Sequence, residues 1–212
     1  NARKSLAVQQ LSSDEYPESQ LYIYERITYN SVRSSKSHTE KMPKSAKKAV
    51  GGRVMDITFV TGREKFNYRV CAMMIFNNKI LAMHDERSPY FYLPGGRVQM
   101  GETAEHAVIR EVEEELKITP QIIRPLWLNQ SFFTEDVDKL NYHEICIYYS
   151  VDISGTGLFD QGEQFTLYEG SHAHVFEWLA FERLQNEYFY PIFLKTNIFN
   201  LPEHLEIRTE YE

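Results

Sequence analysis

Alternating apolar and polar positions predict several β-strands in this chain. Two mostly apolar runs, Tyr68–Phe76 and Ile80–His84, are separated by Asn77-Asn78-Lys79, and this arrangement is typical of a β-hairpin. Apolar runs rich in β-branched and aromatic residues occur again further along the chain and predict additional strands. These runs are 122–133, which could form one or two strands, 142–153 and 174–179.

One segment shows helical periodicity instead. The helix would span about 103–116, with Thr103 as a suitable N-cap. Its apolar residues recur every four positions, at Ala104, Val108, Val112 and Leu116. Shorter helices are predicted at 181–186 and 191–199, and loops at 84–89, 134–141 and 154–171. This mixture of strands and helices predicts an α/β fold, in which a mixed sheet packs between helices.

The longest predicted helix also carries a cluster of acidic residues. Glu111, Glu114 and Glu115 are spaced so that they share one face. Like charges at this spacing repel by roughly 0.2–0.5 kcal/mol per pair on an isolated helix. Two interpretations follow. The cluster is either a solvated acidic face or a site for a hard divalent cation such as Mg²⁺, which takes oxygen ligands from carboxylates and substrate phosphates.

A longer pattern that includes these carboxylates resembles the Nudix box. It consists of Gly96, five residues, Glu102, seven residues and then Arg110-Glu111-Val112-Glu113-Glu114-Glu115-Leu116-Lys117-Ile118. Lys117 is the one departure, because the family has Gly at that position. Gly would end the helix in a left-handed conformation, and Lys can adopt that conformation at a cost of about 1 kcal/mol. The departure therefore affects the helix cap rather than the carboxylates.

The resemblance to MutT-type bacterial Nudix proteins extends over roughly 55–207. It implies an α/β/α sandwich with a mixed β-sheet. It also implies hydrolysis of a nucleoside diphosphate linked to another group, such as a nucleoside triphosphate or a nucleotide sugar like ADP-ribose. The implied cofactor is Mg²⁺ or Mn²⁺. The alternative is a non-catalytic nucleotide-binding regulatory module, but such modules usually lose box glutamates, which are all present here.

The resemblance also implies roles for individual residues. Glu111, Glu114 and Glu115 are predicted to bind the metal and to be catalytic, and the backbone carbonyl of Gly96 is a further predicted ligand. The remaining predicted catalytic residues are Arg110, which would pair with a box carboxylate, and Glu102, which would hold Arg110 or orient the groups around the metal.

The general base stays open at this stage. Glu111 or Glu115 could itself act as the base. The family often places an additional carboxylate near the metal, and the candidates outside the box are Glu144, Glu163, Glu169 and Glu177.

Candidate substrate contacts come from several parts of the chain. They comprise Arg69, Arg87 and Arg97 for phosphate, Tyr92 and Phe133 for stacking on a base, and Glu144. The sequence features that characterise known Nudix subfamilies are not found at their usual positions. Phe133 stands where ADP-ribose enzymes have Pro, about fifteen residues after the box, and the upstream motif of coenzyme A enzymes is absent. The identity of the substrate is therefore left open.

Charge divides the chain near residue 54. Residues 1–54 carry ten Lys or Arg and five Asp or Glu, a net charge of +5, whereas residues 55–212 carry a net charge of −12. We interpret 1–54 as a basic N-terminal extension or leader outside the catalytic domain, which would occupy 55–212. An acidic domain is a poor surface for nucleic acid, so the expected partner is a small nucleotide. A homodimer is left open.

Cysteine content and apolar run lengths bear on the compartment. The chain has 212 residues and two cysteines, and Cys71 and Cys146 both lie in strand-like apolar runs. They are predicted to be buried thiols in a reducing compartment. No apolar run approaches the roughly 18 residues of a transmembrane helix, and residues 1–20 lack the apolar core of a signal peptide. We therefore expect a cytoplasmic protein with no membrane partner.

Overall fold

The computed structural model describes residues 55–86 and 88–211. The strands in this part of the chain are β1 (Thr58–Thr61), β2 (Glu64–Met73), β3 (Ile75–Phe76), β4 (Lys79–Asp85), β5 (Ser88–Tyr92), β6 (Gly95–Arg97), β7 (Gln121–Thr134), β8 (Asn141–Asp152), β9 (Gln164–Glu169), β10 (His172–Ala180) and β11 (Glu206–Tyr211). The helices are α1 (Ala104–Leu116), a short 3-10 helix (Leu158–Gln161), α2 (Phe181–Leu184) and α3 (Leu194–Asn197).

The strands form two sheets. The larger sheet has the order β1-β2-β8-β7-β11, and β6 also pairs with β2. It is mixed, because β2 runs parallel to β8 and β7 parallel to β11 while its other pairs are antiparallel. The second sheet has the order β3-β4-β10-β9, with β5 on β4, and is antiparallel. The predicted mixed sheet is therefore confirmed.

Strand alternation creates two separate cores. On β2, Val70 and Ala72 face one core, which they share with the apolar side of α1. Cys71 and Met73 face the opposite core, which is completed by side chains of α2 and α3. Because successive side chains of a strand point to opposite faces, one strand serves both cores. The sheets thus lie between α1 and the two C-terminal helices, which is the α/β/α arrangement predicted from the sequence.

The predicted hairpin is present, but its first strand is divided. Residues 68–76 were expected to be one strand, whereas β2 ends at Met73 and β3 begins at Ile75. β2 belongs to the larger sheet and β3 to the second sheet. Asn77 and Asn78 both have positive φ, at 49° and 56°, which is the backbone conformation of a tight two-residue hairpin turn.

Several predictions of loops and helices are wrong. The segment 154–171 is not a loop throughout, since it contains the 3-10 helix and β9, and the predicted loop 84–89 already includes the start of β5. β11 was not predicted at all, and the helix expected over 191–199 is reduced to α3. β9 and β11 are largely exposed strands at sheet edges. Such strands form by pairing with a neighbour, so sequence alone signals them weakly: β9 has only two inward apolar residues, Phe165 and Leu167, and β11 has no apolar alternation.

Other sequence predictions have different outcomes. Cys71 and Cys146 are free and buried, as predicted, and their Sγ atoms lie 3.6 Å apart. Within 55–86 and 88–211, none of the helices is long and apolar enough to cross a bilayer. The predicted extension 1–54 and the predicted phosphate contact Arg87 lie outside the described residues.

Candidate active site

Helix α1 begins and ends at defined caps. The Thr103 hydroxyl accepts a hydrogen bond from the backbone N–H of His106 at 3.3 Å, which satisfies one of the free N–H groups of the first turn. Lys117 has φ 59° and ψ 26°, and its N–H donates to the carbonyl of Glu113 at 3.2 Å. Lys117 therefore takes the left-handed conformation expected of Gly, and its ammonium group donates to the carbonyl of Glu114.

Two consecutive glycines bring backbone against the acidic face of α1. Gly95 and Gly96 lie opposite Cys71 and Val70 on β2. Gly95 has φ +145°, and an added Cβ would overlap the carbonyl of Val70. An added Cβ at Gly96 would overlap the carboxylate of Glu111. Only residues without a side chain allow this approach of strand and helix.

One carboxylate of α1, that of Glu115, is buried, and a second, that of Glu111, is partly buried. Glu115 is 5 % exposed, and its carboxylate accepts a hydrogen bond from the Gly95 N–H at 3.0 Å. Burial, followed by the charge of Glu111, raises the pKa of Glu115 well above its usual range. Burial also raises the pKa of Glu111, although Arg110 opposes this effect. A cation bound beside these two carboxylates would stabilise their ionised form.

Arg110 connects the acidic residues to the loop before the helix. It donates two hydrogen bonds to the carboxylate of Glu102, at 2.8 and 3.0 Å, and one to the carbonyl of Arg97 at 3.0 Å. The same guanidinium contacts Glu111 at 2.7 Å and Glu114 at 3.1 Å. Arg110 therefore holds the loop 97–102 in a fixed position against α1.

Glu102 is fixed by this network. One of its oxygens also accepts from the backbone N–H of Gln99 at 3.0 Å. Burial works against the charged form, but the hydrogen bonds from Arg110 and Gln99 outweigh it and lower the pKa of Glu102. Glu102 is thus held as an ionised partner of Arg110.

The described residues contain no three His, Cys, Asp or Glu side chains that already converge on one point. The geometry explains this. Glu115 is turned towards Gly95, whereas Glu111 and Glu114 are both held by Arg110. The set nevertheless fits a hard divalent cation, since it offers several carboxylates, of which the buried Glu115 and the partly buried Glu111 have raised pKa values.

The model of the NUDIX domain matches residues 65–195. The chain belongs to the NUDIX family. The match includes β6, α1 and the strands that support them, so the features described above lie inside the family's domain.

Curated relatives share shorter segments. The chain is 38% identical over 82 residues to the ADP-ribose pyrophosphatase of Methanocaldococcus jannaschii, an alignment that covers 37% of this chain and 46% of that protein. It is 64% identical over 28 residues to the 8-oxo-dGTP diphosphatase of Escherichia coli, covering 13% of this chain and 22% of that protein. The chain thus spans less than half the length of these relatives.

A solved structure of a MutT protein from Bacillus halodurans is also similar. It has a TM-score of 0.47 and 15% identity, and the comparison covers 68% of this chain and 89% of that one.

The larger sheet carries a polar network around Asn67 on β2. Asn67 is 2 % exposed and accepts from the Thr58 hydroxyl at 2.7 Å and from Arg97 Nε at 3.2 Å. Its amide nitrogen donates to Glu144 at 3.2 Å. Asn67 thereby brings together Arg97 and Glu144, two of the predicted substrate contacts. Asn67 was not predicted as a site residue, because its partners lie on other strands of the sheet.

Arg69 lies next to this network. Its guanidinium is 3.5 Å from the carbonyl oxygen of Gly95, and it is opposite Arg97 in the pairing of β2 with β6. The Nε atom of Arg69 is buried and has no hydrogen-bond partner among the described residues. The two predicted arginines Arg69 and Arg97 are thus cross-strand neighbours next to Gly96.

The two predicted aromatic contacts are placed differently. The Tyr92 hydroxyl donates to Asp85 at 3.3 Å, and burial, then the charges of Asp85 and Glu115, raises the pKa of Tyr92. Tyr92 is therefore close to the buried carboxylate. Phe133 stacks on Tyr142, with centroids 5.0 Å apart, and Tyr142 lies opposite Lys65 on β2. Phe133 is thus at the level of Lys65, four residues along the strand from Arg69.

The structure separates the four candidate bases outside the box. Glu163 contacts Lys79 at 2.5 Å, and Glu177 is paired with Arg183. Glu144 contacts Asn67, as described above. Glu169 is 3.5 Å from the buried ring of His174. Of the four, only Glu169 is among the charges that raise the pKa of Glu115.

Replacement of Gly96 by Ala tests the close approach of strand and helix. The new methyl group would displace the Glu111 carboxylate, so we expect the metal concentration for half-maximal activity to rise about 10–100-fold. Gly155→Ala is the control for an added methyl group, because an added Cβ at Gly155 has no neighbour within 4 Å, although its φ of 76° adds local backbone strain that Gly96→Ala does not have. A metal titration of hydrolysis measures both variants. An unchanged metal requirement in Gly96→Ala would show that Glu111 does not depend on this contact.

Proposed function

We propose that this Nudix protein is a pyrophosphatase that requires a divalent metal and cleaves a nucleoside diphosphate linked to another group. The observation that carries the proposal is the buried carboxylate of Glu115 beside the partly buried carboxylate of Glu111, both with raised pKa values and both against the backbone of Gly95 and Gly96. Keeping two acidic groups in this position lowers the stability of the metal-free protein. Their presence therefore indicates that they serve a function.

The donor set would hold Mg²⁺ or Mn²⁺. Glu111, Glu114, Glu115 and the carbonyl of Gly96 are the proposed ligands. When bound, a divalent cation neutralises charge on the pyrophosphate and lowers the pKa of water. Arg110 would keep Glu111 and Glu114 oriented, and the paired Glu102 would keep Arg110 in place.

Arg69 and Arg97 are the proposed phosphate contacts of the protein itself. They are cross-strand neighbours on β2 and β6, next to Gly96, and guanidinium groups bind phosphate oxygens in a fixed orientation. The side-chain oxygen of Asn67 accepts a hydrogen bond from Arg97 Nε and so restrains the guanidinium group. The domain has a net charge of −12 over residues 55–212, so positive charge is concentrated locally. This distribution supports a small phosphorylated ligand rather than a polyanion.

Water is the proposed nucleophile. The side chains assembled around α1 and β6 are carboxylates and arginines, which position and neutralise charge but do not form a nucleophile with an orienting base. An oxygen of water would bond to one phosphorus, and the bridging P–O bond would break. The products would be a nucleoside monophosphate and the remaining phosphorylated group, without a covalent enzyme intermediate.

Glu169 is the proposed general base for this step. Its charge acts on Glu115, and it remains about half exposed, with His174 beside it. We expect Glu169→Gln to lower kcat by about 10²-fold, which is at the low end for loss of a general base because Glu111 can substitute in part. Glu163→Gln is the matched control, because Glu163 directly precedes the same strand β9 and pairs with Lys79, and it should retain full turnover. A comparable loss in Glu144→Gln, with none in Glu169→Gln, would move the base to the Asn67 network.

A screen of nucleoside diphosphate derivatives with added Mg²⁺ or Mn²⁺ tests the proposed function. It should include ADP-ribose, other nucleotide sugars and nucleoside triphosphates, with release of nucleoside monophosphate as the readout. Turnover that depends on metal is the expected result. Tight nucleotide binding without turnover of any compound would instead identify a binding module.

A further inference from the structure

The chain contains the tripeptide Tyr-Phe-Tyr twice, at 90–92 and 188–190. The two copies pair side by side in parallel. The Phe91 N–H donates to the carbonyl of Tyr188 at 2.8 Å, and the Tyr190 N–H donates to the carbonyl of Phe91 at 2.9 Å. Because side chains alternate along extended backbone, Phe91 and Phe189 turn to the core beneath α2 and α3. The tyrosines turn to the opposite side and form one cluster, consisting of Tyr90, Tyr92, Tyr188 and Tyr190.

Three rings of this tyrosine cluster form a corner. The ring of Tyr90 meets Tyr188 at 5.6 Å and 76°, and Tyr190 at 5.1 Å and 83°. Tyr188 and Tyr190 are 5.6 Å apart at 62°. Tyr92 adds a fourth ring, 6.1 Å from Tyr90. Tyr188 is 47% exposed, so the corner is accessible from solvent.

Each hydroxyl on the outer side of the cluster contacts an acid. Tyr90 donates to Glu135 at 3.3 Å, Tyr188 to Asp136 at 3.2 Å, and Tyr92 to Asp85 at 3.3 Å. Burial, followed by the charge of Glu135, raises the pKa of Tyr90 to about 12, so this hydroxyl stays protonated at neutral pH. A phenol that donates to a carboxylate has a more electron-rich ring, which strengthens its attraction for a cation.

Glu135 places negative charge at the outer side of the cluster. Asp136 contacts Lys139 at 3.4 Å. Within the described part of the chain, no Lys or Arg lies within 4 Å of the Glu135 carboxylate. A neutral base could stack on the same rings, but it would gain nothing from these carboxylates. An additional phosphate would be repelled by them. The combination favours a compact organic cation.

The cluster adjoins the proposed phosphate site. Only Leu93 and Pro94 separate Tyr92 from Gly95, whose N–H binds Glu115. We propose that the tyrosine cluster binds an alkylammonium group on the leaving half of the substrate, so that the protein acts on nucleoside diphosphates esterified to an amino alcohol such as choline. This inference rests on the proposed pyrophosphatase function. The phosphates would lie at Arg69 and α1, and the ammonium group would lie against the tyrosine rings.

A pair of substrates that differ only in charge tests this inference. The choline ester of a nucleoside diphosphate is compared with its 3,3-dimethylbutyl ester, in which carbon replaces the charged nitrogen, using the full chain with Mg²⁺. We expect kcat/KM to be about 10-fold higher for the choline ester. Tyr188→Leu should lower kcat/KM about 10-fold for the choline ester and by a smaller factor for the neutral ester, which removes the preference, and Tyr188→Phe should keep it. Adenosine and cytidine forms of both esters are included.

Three outcomes would overturn the inference. The first is equal kcat/KM for the two esters in the wild-type protein. The second is hydrolysis of other nucleoside diphosphate derivatives but of neither ester. The third is an equal loss on both esters in Tyr188→Leu, which would show that the ring stacks on a base. If no derivative is hydrolysed, the proposed function fails instead. Calorimetry with phosphocholine and 3,3-dimethylbutyl phosphate then decides whether the cluster prefers the cation, and equal binding would overturn that preference.

Discussion

Replacement of Glu115 by Gln is expected to lower kcat by about 10²–10⁴-fold, because the variant loses a charge that would balance the metal and the developing transition state. The amide keeps the size of the side chain and can still accept the hydrogen bond from Gly95 that the carboxylate accepts at 3.0 Å. Turnover of a nucleoside diphosphate derivative at saturating Mg²⁺ measures the effect. Glu113→Gln is the matched control, since Glu113 lies in the same helix outside the proposed ligand set.

The same substitution should stabilise the metal-free protein. The pKa of Glu115 is raised in the folded state, so the folded protein binds this proton more tightly than the unfolded chain does. Stability is therefore lost as pH rises from the unfolded pKa of about 4.3 through the higher folded value. At about pH 8 the Gln variant, which lacks this buried charge, should be more stable than wild type by about 1–3 kcal/mol.

Thermal unfolding at several pH values tests whether Glu115→Gln is more stable than wild type at high pH. The advantage of Glu115→Gln should shrink as pH falls towards about 4, and added Mg²⁺ should stabilise wild type more than the variant. A variant that is both less stable at high pH and fully active would place the metal site elsewhere.

Replacement of Arg110 by Met is expected to destabilise the protein by about 2–4 kcal/mol, because it leaves Glu102 and Glu111 without their shared cation. The side chains of Arg110, Glu102 and Glu111 are 21%, 14% and 15% exposed, so solvent screens them weakly. For a domain of this size the melting temperature should fall by roughly 5–15 °C. Differential scanning calorimetry measures the shift.

A matched arginine and a double variant serve as controls. Arg97→Met should cost about 1 kcal/mol or less, since its side chain is 38% exposed and its contact with Asp56 is 3.7 Å. Adding Glu102→Gln to Arg110→Met should recover part of the loss, because the unpaired carboxylate is removed. An Arg110 variant as stable as Arg97→Met would mean that Arg110 does not fix the loop before the helix.

Local features of the site could be predicted from the sequence. Thr103 and Lys117 determine the ends of α1 through contacts within the helix itself, so the box pattern is sufficient to place them. The glutamates share one helix face for the same reason. The prediction that Lys117 adopts a left-handed conformation is confirmed by its φ of 59°.

Non-local features could not be predicted. Asn67 joins β1, β6 and β8, and the pairing of those strands is decided by the whole sheet. The separation of Glu169 from the other candidate bases depends on β9, which the apolar pattern did not reveal. The tyrosine cluster likewise arises because two segments about a hundred residues apart become neighbours. In each case the residue types were visible in the sequence, but their neighbours were not.

Hydrolysis in ¹⁸O-labelled water is the most direct test of the metal-dependent pyrophosphatase. A single-turnover reaction on a nucleoside diphosphate derivative with Mg²⁺ should place one solvent oxygen on the phosphorus of one product. The reaction should stop with a chelator, and Glu115→Gln should slow it strongly. A trapped nucleotidyl or phosphoryl adduct of the protein, or label that comes only from a pre-labelled carboxylate, would contradict direct attack by water at this site.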